Sequence, residues 1–365
     1  VIEIGSSKLS CMIAERGVNN TFNVKAKASV DYAGFLEGDF IEKAYLDDAV
    51  MTLFSQITSI YKKKIKKVYV GVPAEFSKVV TSTCQLNFKN RHTISQKDID
   101  TIFAKVSEQR YAEDMDIISV NTISYTLDET KNIQNPLKQK CYFISCELSL
   151  VLAQSSFIKL FNKIWSKLGI EQVEYLSEPL AEGIFILEEE ERERNCIVID
   201  VGARSTSVAF IKGNAMTNLT SFSMGGSYIT SDLTEACGIG YPEARNLKKQ
   251  IVLSLKGDKD DTYELPTLGG KILKLPLNFV NEAVCYRIGL IASTVNECIR
   301  VFAKEYVPYY PIYLCGAGLT KIKGGKDYLA KCLNRNVSYG RPPIPGMDKP
   351  ELASILGLVN SALRN

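Results

Sequence analysis

At 365 residues, 45% of them hydrophobic, the chain is long enough for two lobes with cores of their own. No apolar run approaches the roughly 18 residues of a membrane-spanning helix and no signal-peptide pattern opens the chain, so a cytoplasmic protein is expected. The 44 basic and 41 acidic side chains leave a formal charge of +3, too little to argue for a nucleic-acid partner. Ten cysteines without a C-x-x-C pair, in apolar segments such as CYFISCEL, read as reduced core thiols. The single histidine, His92 in NRHTIS, reads as a solvated loop residue and disfavours histidine-based catalysis.

Residues 1–30 read as strands: a first hairpin, VIEIGSSKLSCMIAE, then TFNVKAKASV with period-two character. The connector DYAGFLEGDFIE turns at Gly34 and Gly38. A helix is predicted from about Tyr45, with Leu46, Ala49, Val50, Leu53, Phe54, Ile57, Ile60 and Tyr61 on one face. Asp47 and Asp48 are expected to open it and KKKIKK to close it, each sign matching the helix dipole. That run, Lys62, Lys63, Lys64, Lys66 and Lys67, reads as a solvated helix end before it reads as a membrane contact.

VYVGVP is a core-strand pattern ending at Pro73. Residues 74–154 then form a self-contained piece: strand-like FSKVVTSTCQLNF, a helix from Ser95 carrying Ile99, Ile102, Phe103 and Val106, and strands around DIISVNTISYTL and CYFISCELSLVLA. The amphipathic segment SSFIKLFNKIWSKLGI presents Phe157, Leu160, Phe161, Ile164 and Leu168 and stops at Gly169. YLSEPLAEGIF sets Glu178 and Pro179 between a strand and a helix, and EEEERERN reads as an exposed loop. Further on, VIDVGARSTSVAF is a second strand–turn–strand unit, and PIYLCGAGLTKIKG is an apolar strand broken at Gly316 before a helix start. The closing LASILGLVNSALRN reads as a last helix, with Leu352, Ile355, Leu356, Val359 and Leu363 in the core.

The two strand–turn–strand units share one design. Each has a carboxylate, Glu3 or Asp200, then a glycine, small hydroxyls and a return strand. Such a turn gathers backbone N–H groups around one point without a bulky side chain in the way, which suits phosphate. The neighbouring carboxylate can hold Mg²⁺ through water. Either turn alone reads as an ordinary turn. Two of them, at Gly5 and Gly202, imply two similar lobes clamping one nucleotide. Phosphate contacts are therefore expected from Gly5, Ser6, Ser7 and Lys8, and from Gly202, Ala203, Ser205 and Thr206. Arg204 either touches phosphate or stands exposed at the loop tip. Gly316, Ala317 and Gly318, with Lys321 behind them, let backbone pass close to a base and ribose.

In this order the motifs resemble the actin, heat-shock-ATPase and sugar-kinase superfamily. EIGSSK corresponds to its first phosphate loop, SEPLAEG to its first connecting segment, DVGARST to its second phosphate loop and CGAGLTKI to its adenosine loop. The resemblance implies a two-lobed α/β fold that binds ATP with Mg²⁺. Actin and its closest bacterial relatives insert a small subdomain before the first long helix, whereas here about 80 residues follow VYVGVP. That displacement, the Gly34 to Gly38 turn, Asn135 with Pro136, and TSDLTEACGIGYPEARNLK resemble the FtsA family. The implied division is a first-lobe core at 1–72 and 155–182, an inserted subdomain at 73–154, a second-lobe core at 183–228 and 287–349, its small subdomain at 229–286, and a terminal helix at 350–365.

The FtsA resemblance also implies roles. It gives Gly226, Arg245 and Lys248 to the adenine side, although the acidic position of the usual E-x-x-K is here Arg245. Glu178 becomes the group that polarises an attacking water, and Ser207 stands where relatives carry a second aspartate, so any ATP hydrolysis is expected to be slow. Self-association into filaments is implied. So is the C-terminal tail of FtsZ as partner, received at 229–286 where Lys271 and Lys274 lie beside Leu273, Leu275 and Leu277. Attachment to the inner face of the cell membrane at the division site would use an amphipathic helix beyond residue 365. A scaffold of type IV pilus assembly is the alternative within the fold. A sugar or acetate kinase would need a substrate-binding acid that the sequence does not display.

Overall fold

The computed structural model describes residues 1–17, 21–109, 111–133, 135–254, 257–258, 260–266, 270, 272–302 and 310–364. The chain opens with antiparallel strands β1 (Ile2–Ile4), β2 (Lys8–Arg16) and β3 (Phe22–Asp31). A short ribbon, β4 (Phe35–Leu36) and β5 (Asp39–Phe40), leads to helix α1 (Lys43–Tyr61) and strand β6 (Lys67–Val72). The inserted unit holds β7 (Ser77–Thr93), α2 (Gln96–Ser107), β8 (Met115–Leu127), β9 (Thr130–Ile133) and β10 (Lys140–Gln154). Helix α3 (Ser155–Lys167), β11 (Gln172–Ser177) and α4 (Glu178–Ile186) return to the first lobe, and α5 (Glu189–Arg192) leaves it.

The second lobe begins with β12 (Cys196–Val201), β13 (Thr206–Lys212) and β14 (Ala215–Phe222), followed by α6 (Gly226–Cys237) and α7 (Tyr241–Lys248). A ribbon of β15 (Thr262–Pro266) and β16 (Ile272–Pro276) precedes the long α8 (Leu277–Phe302). The chain then makes β17 (Ile312–Cys315), α9 (Ala317–Thr320), α10 (Gly325–Leu333), β18 (Val337–Tyr339) and α11 (Ala353–Arg364).

The main sheets of the two lobes have the same build. The first runs β3-β2-β1-β6-β11 and the second β14-β13-β12-β17-β18; in each, a three-strand antiparallel meander continues into parallel strands. The two strand–turn–strand units of the sequence are β1–β2 and β12–β13, at equivalent places in their sheets. Between the lobes lie α4 and α11. They approach so closely that a Cβ on Gly357 would come within 2.5 Å of the Ala181 carbonyl oxygen, which is why α11 carries a glycine there. Ile355, Leu356 and Val359 of α11 pack with Met12 and Phe22, as expected of a terminal core helix.

The first-lobe core is built around phenylalanines. Phe40 stacks on Phe76 at 5.0 Å between centroids, Phe76 meets Phe157 at 4.8 Å, and Phe157 meets Phe161 at 4.5 Å. These contacts tie the β4–β5 ribbon and the turn after Pro73 to α3, fixing two segments that border the cleft. Trp165, which the helical periodicity did not include, is fully buried in the same core.

Four local expectations need correction. Helix α1 starts at Lys43, so Asp47 and Asp48 fall in its second turn. It ends at Tyr61, and no lysine lies in its last turn: Lys62, in the left-handed conformation, caps it only through its backbone amide on the Thr58 carbonyl, Lys63, Lys64 and Lys66 follow in the loop, and Lys67 opens β6. Ile60 is exposed on this helix instead of packed. EEEERERN folds into the single turn α5 behind a Glu188–Glu191 capping box, and its Arg192 is buried, donating to the Leu187 and Gly213 carbonyls. His92 has a partner: it lies on β7 with Nε2 2.9 Å from Asp98 Oδ2 and its ring stacked on Phe88.

Phe157→Ala should lower the unfolding free energy by about 3–5 kcal/mol, because the surrounding rings are held from several elements and cannot collapse into the void. Urea titration followed by tryptophan fluorescence measures it; an unchanged midpoint would contradict this packing.

Candidate functional site

Each main sheet delivers its first turn to the same place. The Arg204 amide in the second turn donates to Ser6 Oγ in the first at 3.0 Å, so groups 198 positions apart in the chain touch. The amides of Ser6, Ser7, Ala203 and Ser205 donate to no group among the described residues. They remain available to an anion, as the sequence reading requires. Ser6 is buried at the junction, and Lys8 is exposed beside it.

The cleft behind the turns, about 170 Å³, is lined by Glu3, Gly5, Ser6, Ser7 and Lys8 from the first lobe and by Asp200, Gly202, Ala203, Ser205 and Ser207 from the second. Glu178 enters at the first turn of α4, where its Oε1 accepts from the Ile4 amide at 2.8 Å. Room for it depends on Gly71 of β6, since any Cβ there would overlap the carboxylate. Three acids that sequence reasoning passed over join the set, Glu75, Glu182 and Glu351. Glu182 could have been found: it follows Glu178 by four positions, which puts both on one face of a helix.

Burial and mutual repulsion set the protonation of this group. Burial, then the charges of Glu3 and Glu75, pushes Asp200 up to about 7. Burial, then Glu3, raises Glu178 well above the usual carboxylate range, and burial, then Asp200, does the same to Glu182. Glu3 is raised by burial, against a hydrogen bond from Ser10 and the charge of Lys8. Asp200 Oδ1, Glu182 Oε1 and Ser354 Oγ are buried with no hydrogen-bond partner among the described residues. Those orphaned atoms fit a hydrated cation, whose waters would supply the missing donors. No group of three or more His, Cys, Asp or Glu side chains among the described residues is placed to ligate an ion directly.

A second, wider half of about 500 Å³ continues from Ser7, Lys8, Ala203 and Ala317. Gly226, Arg245, Lys248, Gly318 and Lys321 all line it, as do Lys249 and three residues that the sequence did not single out, Tyr32, Thr230 and Tyr241. Its floor is backbone against backbone. The Gly226 amide donates to the Gly202 carbonyl at 2.9 Å, and a Cβ on Gly226 would come within 2.5 Å of Gly318 Cα. Gly316 takes φ +79 beside Asp200, where a side chain would collide with the carboxylate. Lys248 Nζ donates to the Gly226 carbonyl at 2.5 Å, and burial, with Arg245 and Lys321 nearby, lowers its pKa to about 8.

Two expected phosphate contacts are placed differently. Thr206 is fully buried and its hydroxyl donates to the Met224 carbonyl at 2.6 Å, because strand pairing with Val201 turns the side chain into the lobe. Arg204 is neither free at a loop tip nor aimed at the turns: its guanidinium donates to the Phe35 carbonyl, bridging the lobes.

Comparison with known proteins follows this geometry. The family model "Cell division protein FtsA" matches residues 197–357, and "SHS2 domain inserted in FTSA" matches residues 77–152. Cell division protein FtsA of Bacillus subtilis is 20% identical over 100% of this chain and 83% of its own length. Its counterpart in Escherichia coli K12 is 21% identical over 98% and 89%. This chain belongs to the FtsA family. Among solved structures, the PilM-PilN type IV pilus biogenesis complex superposes with TM-score 0.66 at 17% identity, over 99% of this chain and 97% of that one. MreB 5 of Spiroplasma citri bound to AMPPNP gives 0.55 at 12%, over 98% and 93%. Both carry the fold of the actin-like proteins.

The FtsA-type insertion is the sheet β7-β10-β8-β9, beginning at Ser77 as the displaced position of the inserted residues requires. In the small subdomain of the second lobe, Lys271 lies outside the described residues. Lys274 is exposed and pairs with Glu264 at 3.3 Å. Leu275 and Leu277, expected beside them as groove residues, are instead core of the second lobe, because alternation along β16 turns Leu275 inward.

The acid cluster yields a pH prediction. Asp200 binds its proton more tightly folded than unfolded, so between about pH 4 and pH 7 this group makes the ion-free protein more stable as pH falls, and it contributes nothing further above pH 7. Mg²⁺ should therefore raise Tm more at pH 8 than at pH 6, and Asp200→Asn should flatten that difference. A Mg²⁺ response equal at both pH values in the wild type would contradict it.

Proposed function

We propose that this chain is an ATP-binding actin-like protein of bacterial cell division that assembles into filaments and links FtsZ to the membrane. The meeting of two phosphate turns across one cleft carries this reading, in a chain matched along nearly its whole length by FtsA proteins. MreB 5 of Spiroplasma citri, bound to AMPPNP in one structure and to ADP in the other, supports a nucleotide in the cleft of this fold.

On this assignment the 5′-phosphates lie on the free amides of Ser6, Ser7, Ala203 and Ser205, with Lys8 at their edge. Mg²⁺, when bound, supplies charge neutralisation and ordered water between the phosphates and Glu3 and Asp200. Glu178 is the side chain that would polarise an attacking water. Its carboxyl is anchored on the Ile4 amide and held toward the protonated form by its neighbours, and Ser207 brings no second carboxylate, so turnover is slow. The FtsZ tail would be met at 229–286, where the large apolar side chains left exposed among the described residues are Tyr241, Ile272, Phe279 and Tyr286, at 46%, 62%, 47% and 69%, with Lys274 at the rim and Lys271 assigned there from sequence. Membrane attachment through a segment beyond residue 365 belongs to the same proposal.

Mg-ATP should stabilise the wild type by about 2.7 kcal/mol at a hundred times Kd. Gly202→Val should abolish that gain, since even a Cβ there sits 3.2 Å from the Ser205 carbonyl oxygen and larger groups enter the phosphate path. An undiminished ATP response in the variant would remove the assignment.

Filaments on lipid with ATP, seen by electron microscopy, together with heat on mixing with the FtsZ tail peptide, support the division role. Phe279→Ala with Tyr286→Ala should weaken the peptide at all salt concentrations, whereas Lys274→Glu should act mainly at low salt. ATP binding without filaments or peptide binding would favour the pilus-type scaffold.

A further inference from the structure

The wider half of the cleft carries more positive charge than a 5′-polyphosphate uses. Lys8, Arg204, Arg245, Lys248, Lys249 and Lys321 line it, and Asp31 is the one acidic side chain among its described lining residues. Lys8 and Arg204 belong to the two phosphate turns. The other four do not: Arg245, Lys248 and Lys249 come from α7 and its end, and Lys321 follows α9, all beyond the contact of Gly226 with Gly318.

Gathering these cations is costly. Burial first, and then repulsion by Arg245 and Lys321, lowers the affinity of Lys248 for its proton. Arg245 forms no ion pair among the described residues, and Lys321 reaches Glu351 only at 3.8 Å. An uncharged base and ribose would leave that repulsion in place, whereas an anion would relieve it through charge-assisted hydrogen bonds. A ribose hydroxyl is commonly held by a carboxylate, and a phosphate on that hydroxyl by an arginine. Arginine stands at position 245, on a helix face open to the cavity.

We propose that this half of the cleft recognises a nucleotide phosphorylated on its ribose, with Arg245 and Lys321 holding a 2′- or 3′-phosphate while the 5′ chain lies on the two turns. The inference rests on the nucleotide reading above and adds the class of nucleotide. Lys248, fixed on the Gly226 carbonyl, sets the depth at which the ribose stops, and Lys249 adds charge at the rim.

Isothermal calorimetry with AMP, adenosine 2′,5′-bisphosphate, adenosine 3′,5′-bisphosphate and Mg-ATP tests it. At least one bisphosphate should bind about ten-fold or more tighter than AMP, and the better isomer identifies the hydroxyl. The gain should shrink with added salt, and should disappear in Arg245→Glu while Arg245→Lys keeps part of it. Mg-ATP binding without a gain from either bisphosphate overturns the inference and leaves the nucleotide reading intact, and a gain undiminished in Arg245→Glu overturns the role of Arg245. Failure of all four compounds to bind overturns both.

Discussion

Four carboxyl groups brought to one point, Glu3, Glu178, Glu182 and Asp200, are the constraint on which the rest of the cleft depends. Removing like charges from water together is unfavourable, and the protein meets that cost by raising their proton affinities. The arrangement makes physical sense around a cation. The orphaned oxygens of Asp200 and Glu182 mark where its water shell would donate. A few ångströms along the same cleft the sign reverses, and cations crowd with little acid to balance them. On the reading proposed above, a ligand with a metal-bound phosphate chain at one end and further negative charge at the other would relieve the like-charge repulsion in both halves.

Backbone proximity is the second requirement. The turn after β12, the start of α6 and the start of α9 converge where Gly202, Gly226 and Gly318 meet without side chains between them. Each glycine comes from a different element, so the junction forms only when β12, α6 and α9 are docked. Lys248 closes it from the side by donating to Gly226. The aromatic packing of the first lobe does the same for the opposite wall, holding the Phe35 segment and the Glu75 turn against α3. Arg204 then joins the walls by taking the Phe35 carbonyl, so its side chain serves cleft closure while its amide serves the turn.

Much of this was legible in the chain. Two strand–glycine–hydroxyl–strand units, each led by a carboxylate, announced a duplicated fold with a shared ligand, because a turn's chemistry is local and its period is readable. The site of the insertion after VYVGVP and the apolar terminal helix were equally local statements, resting on the order of segments and on helical spacing. Arg245 was visible as a departure at an otherwise acidic position, although the sequence could not say that Lys321 would lie near it.

What the tertiary structure alone decided are the relations between distant segments. Thr206 reads as a phosphate hydroxyl until strand pairing turns it inward to Met224. Leu275 and Leu277 read as groove residues until the second-lobe core claims them. Glu75 becomes part of the acid cluster only because β6 ends beside β1 and β12 faces both across the cleft. Local pattern determines which way a strand or helix prefers to fold and where its turns lie. Whether two acids 197 positions apart repel one another, or whether an arginine ends on phosphate or on a carbonyl, is set by how the sheets dock, and no short window of sequence contains that information.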